Sequence, residues 1–172
     1  MFIIAPIFLF VIIFFYLLVI IFLGGYDMKE NYELMEHIYK DAEMTSYTLT
    51  KLTRDLREKD NKIKRTLEDI LKEYESWKNK ALKYLKSGNA NITETNMFEK
   101  MMANMGVMKE VNADNSDSSI ADMLIKGVST GSIDMEKKIK AFNKDVDKSD
   151  INVAKDFLKF QQKTIDKLKE YL

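Results

Sequence analysis

Residues 62–88 read KIKRTLEDILKEYESWKNKALKYLKSG. In this stretch Ile63, Leu67, Ile70, Tyr74, Trp77, Ala81 and Tyr84 alternate spacings of four and three without a slip. An apolar position every 3.5 residues draws one stripe down an α-helix, and such stripes pack neighbouring helices about 20° from parallel. The stretch predicts a long amphipathic helix belonging to a bundle. Ser87-Gly88 predicts its end, with a left-handed cap at the glycine.

The same rhythm recurs on both sides. Upstream, Met35, Ile38, Ala42, Thr45, Leu49, Leu52 and Leu56 repeat it, and near the C-terminus so do Ile151, Ala154, Leu158, Gln161, Ile165, Leu168 and Leu172. A third stripe, Leu124, Val128, Gly131, Met135, Ile139 and Phe142, contains one extra spacing of four. Ser119-Ile-Ala-Asp122 reads as a capping box for that helix, and Asp147 or Ser149 as the cap of the last. Linkers at residues 58–61 and 145–148 are short, so each flanking pair should be antiparallel. Residues 89–117 form a far longer connection. A helix of about 27 residues is about 40 Å long, and this connection can run its full length. The expected fold is all-α: an antiparallel four-helix bundle over residues 28–172 with one long crossover.

Residues 1–27 are of another kind. The run MFIIAPIFLFVIIFFYLLVIIFLGG carries no charge, and Asp27 is the first charged residue of the chain. From residue 2 to 23 only Pro6 and Tyr16 interrupt the apolar side chains. Twenty-two residues give about 33 Å of helix, enough for a hydrocarbon core of about 30 Å. Pro6 lies in the first turns, where a missing N–H costs little. The expectation is a single transmembrane helix ended by Gly24-Gly25, with the lipid bilayer as partner of residues 2–23. A cleavable leader fits poorly, because no basic residue precedes the run and the run is too long. Lys29 and Lys40 follow the span and place the domain on the cytoplasmic side under the positive-inside rule. Met28 opens the amphipathic part, so a chain started there would be cytoplasmic and soluble.

The 172 residues hold 27 Lys and Arg against 27 Asp and Glu, one His, one Pro and no Cys. Balanced charge argues against nucleic acid as a partner, which would demand a surplus of cations. The missing Cys removes disulfides, thiolate metal sites and cysteine nucleophiles, and the lone His37 removes any site needing two imidazoles. No phosphate-cradling glycine loop, nucleophile elbow or Ser/His/Asp arrangement occurs.

Through YELMEHIYKDAEMTSYTL (residues 32–49) and SSIADMLIKGVSTGSIDMEKKI (residues 118–139), the chain from residue 30 onward resembles small ferritin-like four-helix bundles of an uncharacterised bacterial type, soluble or membrane-attached. The resemblance implies a carboxylate-rich site for iron or manganese, built from Glu on two helices and Glu-x-x-His on the other two. No Glu-x-x-His occurs here: Leu34 stands three residues before His37, and the last helix offers Gln161 and Gln162 instead of a carboxylate.

Four groups of residues are candidates for function. Glu33, Glu36 and His37 share a helix flank, and with Glu73 they form the metal-site alternative. Thr45 and Gln161 are polar residues on apolar stripes, which either line a small polar pocket or fix helix register. Gly127 and Gly131, four apart, either let another helix pack closely, the reading preferred here, or leave space for a ligand. Met97, Met101, Met102, Met105 and Met108, with Phe98, lay an apolar stripe on a short helix in the crossover. The stripe suits a lid, or an adaptable partner-binding or membrane-contacting surface. The leading functional reading is a membrane-tethered, non-enzymatic interaction or structural protein, without a cofactor, open to a homo-oligomer. The alternative is a degenerate ferritin-like metal-binding or oxidative-stress protein.

Overall fold

The computed structural model describes residues 4–88, 90, 114–142 and 147–172; within residues 4–31 it describes side chains only at 13–16. Four helices are seen among these residues: α1 (Ile4–Asp55), α2 (Lys64–Ser87), α3 (Asp117–Phe142) and α4 (Lys148–Lys169). No strand occurs among them. Helices α1 and α2 form one hairpin and α3 and α4 the other, and the two hairpins share one hydrophobic core.

Both ends of this helical bundle are fastened by side chains. At one end the Tyr32 hydroxyl of α1 donates to the Gly88 carbonyl at 3.0 Å, and Tyr84 of α2 donates to Asp150 of α4 at 2.7 Å. At the other, Asn61 Nδ2 donates to the Asn115 carbonyl and to Asp117, both at 2.8 Å. Thr66 and Tyr171 also join their hydroxyls there at 2.7 Å. The chain therefore leaves α2 at one end and enters α3 at the opposite end. The 24 residues of α2 separate the two points by about 36 Å.

The core follows the stripes in most places. Ile38, Leu49, Leu52, Leu56, Ile63, Leu67, Ile70, Tyr74 and Ile120 are buried, in line with helices that each bury one apolar face. In α4 the buried face keeps Ile151, Ala154, Gln161 and Leu168 of the expected stripe but is rotated to one side of it. Phe157, Phe160 and Thr164 are buried, whereas Leu158 is only partly buried and Leu172 is 64 % exposed. The aromatic rings decide this rotation. Phe160 meets Tyr74 edge-on at a centroid distance of 4.7 Å, and Phe157 meets Trp77 at 5.3 Å. Such pairs add stability beyond their buried area. On α1 the buried hydroxyl residue is Ser46, not Thr45, which is half-buried one position away.

The helix limits also differ from expectation. Gly24-Gly25 does not end a helix: α1 runs through both residues to Asp55. Two glycines cost about 1 kcal/mol each against alanine, too little to break a helix extended on both sides. Gly88 is the C-cap of α2 but has φ −97°, so it is not left-handed. Its lack of a side chain serves another purpose, because a Cβ there would come within 1.9 Å of the Tyr32 hydroxyl. Helix α3 begins earlier than the expected capping box, with Ser116 Oγ accepting from the Ser119 N–H at 3.2 Å. At α4, Asp147 is the cap and accepts from the Ser149 N–H at 2.8 Å.

Among the described residues, no helix is long and apolar enough to cross a membrane. Of the uncharged run, Ile13, Phe14, Phe15 and Tyr16 have described side chains, each at least half exposed.

Candidate functional site

A polar stripe lies beside the apolar face of α1. His37, Asp41 and Thr45 follow at intervals of four and therefore share one flank of the helix. Each of the other three helices brings a residue to it. Gln161 of α4 donates its Nε2 to Asp41 Oδ2 at 2.5 Å, and Thr45 Oγ1 donates to Asp41 Oδ1 at 3.4 Å. Tyr74 of α2 is fully buried, close enough for the Asp41 charge to act on its hydroxyl. Gly131 of α3 packs directly against the pair: a Cβ there would stand 2.7 Å from Asp41 Oδ2 and 3.1 Å from Gln161 Nε2.

The electrostatics of this cluster follow from burial. Desolvation pushes the Asp41 carboxyl up to about 6, against the opposing hydrogen bonds from Thr45 and Gln161. Burial and then the Asp41 charge raise the Tyr74 phenol well above its ordinary range. Burial first, then the Lys138 ammonium, lowers His37 to about 4, with Asp134 opposing, so the imidazole is neutral at pH 7. Among the described residues, Gln161 Oε1, Ser46 Oγ and His37 Nε2 are buried without a hydrogen-bond partner, and the buried Tyr74 hydroxyl has Thr45 beside it. Unpaired buried polar atoms cost stability, and the helices tolerate them where the pairing defines how they fit together.

The glycines divide sharply. Gly131 makes the close approach that its spacing suggested, whereas Gly127 is exposed, with nothing among the described residues within 4 Å of its would-be Cβ. Gly127→Ala is expected to stabilise the protein by about 0.5–1 kcal/mol through helix propensity alone. Gly131→Ala should destabilise it by about 1–2 kcal/mol, because the new methyl must displace the Asp41 carboxyl from Gln161. Thermal unfolding of the two variants checks both signs; a loss at Gly127 or a gain at Gly131 would contradict this packing.

The proposed metal residues do not converge. Glu33 of α1 is paired with Lys138 of α3 at 2.8 Å, Glu36 with Lys40 of its own helix, and Glu73 of α2 with Lys167 of α4 at 3.0 Å. His37 is close to Glu33 in charge but turned into the protein. Among the described residues no three His, Asp or Glu lie where they could hold a metal ion. Met97, Phe98, Met101, Met102, Met105 and Met108 lie outside the described residues.

Asp41 is the member of the cluster that the apolar stripes did not single out. Its signal was the run His37, Asp41, Thr45, a polar file at helical spacing next to the buried face.

No family model, curated protein or solved structure matches this chain. The likeness to ferritin-like proteins therefore stays at the level of an all-helical bundle.

Proposed function

We propose that the protein is a membrane-tethered, non-enzymatic helical module, an antiparallel four-helix bundle with one crossover held at a bilayer by residues 2–23. The observation that carries this reading is the continuity of α1. One helix joins the uncharged run to the bundle, with about 42 Å of it preceding Tyr32. A flexible linker would leave the bundle free to tumble beside its anchor; a continuous helix fixes its distance and direction. Tyr32 then locks that helix onto the end of α2 through Gly88.

Membrane fractionation tests the tether. The full chain should sediment with membranes, resist alkaline carbonate and need detergent for release, while a chain started at Met28 should remain in the aqueous fraction. A full chain that stays in solution without detergent would end this reading.

A further inference from the structure

A groove of about 300 Å³ lies between α2 and α4, at the end of the bundle where Tyr84 meets Asp150. That volume is at the lower end of small-molecule sites. Buried Met35, Ile38 and Ala81, together with Trp77 and Val153, give it an apolar lining. Its inner polar groups are occupied: the Asp150 carboxylate accepts from Tyr84, and the Ser87 hydroxyl donates to the Tyr84 carbonyl at 2.7 Å. Its outer polar groups are two exposed lysines, Lys80 and Lys83. The Lys80 ammonium stands 4.8 Å from the centre of the Trp77 ring. Among the described residues neither lysine forms an ion pair.

We propose that this groove binds a fatty acid taken from the bilayer, its chain along Trp77 and Val153 and its carboxylate between Lys80 and Lys83. Groove and ligand are complementary in polarity and charge. An apolar trough with two unpaired cations at its lip, whose one carboxylate is already bonded, matches a ligand apolar along its length and anionic at one end. A neutral amphiphile would leave both ammonium groups without a counter-charge. The position agrees with the source. Met35 follows Leu23 by twelve residues of continuous helix, about 18 Å, so the groove lies at the end of the bundle nearest the uncharged run. Only the bilayer origin of the ligand rests on the proposed tether.

Trp77 is the only tryptophan in the chain, which makes the site self-reporting. Full-length protein is reconstituted in neutral phosphatidylcholine vesicles and titrated with dibrominated stearate, a contact quencher of tryptophan. Saturable quenching is expected. Lys80→Glu with Lys83→Glu should raise the half-saturating concentration about tenfold, the effect of losing a charge-assisted contact. Val153→Phe should reduce the maximum quenching by filling the groove. The lysines are exposed, so their double variant should retain its circular dichroism. Quenching that rises without saturating, or is unmoved by charge reversal, overturns the proposal. So does equal quenching by dibrominated phosphatidylcholine, which would place Trp77 against the bilayer itself. Absence of quenching overturns it too, as when the groove is filled by another part of the chain or by a second copy. Flotation of the same vesicles separates the two readings. Protein that does not float but quenches saturably refutes the tether and leaves the groove; protein that floats without quenching does the reverse.

Discussion

Asp41→Asn is expected to stabilise the protein at pH 7.5 by about 1–3 kcal/mol. Burial holds the folded carboxyl at about 6, while the unfolded chain titrates near 3.8. Each unit of difference corresponds to about 1.4 kcal/mol, which sets an upper bound of about 3 kcal/mol on the penalty carried by the ionised form. The sign runs opposite to that of a salt-bridged acid. Between pH 4 and 6 the folded protein keeps a proton that the unfolded chain has released, so stability falls as pH rises through that window and levels off above it. Asparagine is uncharged throughout. Its carbonyl can accept from Gln161 and its amide can donate to the Thr45 hydroxyl, so the neighbouring bonds survive. Urea unfolding of both proteins from pH 4 to 8 checks this. The difference between them should grow across pH 4–6 and then hold constant. A variant less stable than the parent at pH 7.5, with the parental pH slope intact, would show that the carboxylate is satisfied in its ionised form.

Phe157→Ala should produce the largest loss of any single truncation in α4, about 3–5 kcal/mol. The ring has no exposed surface and touches Tyr74, Trp77 and Phe160, so its removal opens a cavity bounded by three other rings. Leu158→Ala, one position away, should cost under about 2 kcal/mol because Leu158 is only partly buried. Denaturant midpoints at constant slope would show the contrast. Equal losses at the two positions would mean that α4 faces the core as its 3–4 stripe suggested and not as the rings arrange it.

That contrast marks where the pattern along the chain stopped being informative. In α4 two overlapping stripes are available: the expected one through Ile151, Ala154, Leu158, Gln161, Ile165, Leu168 and Leu172, and one that shares its buried members but takes Phe157, Phe160 and Thr164 in place of Leu158, Ile165 and Leu172. Both have helical period, and hydropathy does not separate them. The choice depends on Tyr74 and Trp77 of α2 waiting opposite, a fact of shape. The polar cluster shows the same limit. Gln161 was visible as a polar residue on a buried stripe, but its partner Asp41 lies 120 positions away on another helix. Nothing local to either residue announces the pairing. The carboxylates of the metal-site alternative show the same limit: Glu33 and Glu73 are each paired with a lysine of another helix, Lys138 of α3 and Lys167 of α4, and neither pairing is visible along the chain. The glycines divide likewise: spacing made Gly127 and Gly131 equivalent, and only the neighbour of each tells contact from open solvent.

What the sequence determined alone is the helical character of the chain and the pairing of its helices into two hairpins, because these depend on period, length and linker chemistry within each segment. The abrupt loss of charge before Asp27 is equally its own statement. The tertiary structure decided the rotation of α4, the Asp41–Gln161 contact and the continuity of α1 through Gly24-Gly25. Each of these is set by a neighbour in space or by the helix on either side, where a weak local preference gives way to packing worth several times as much.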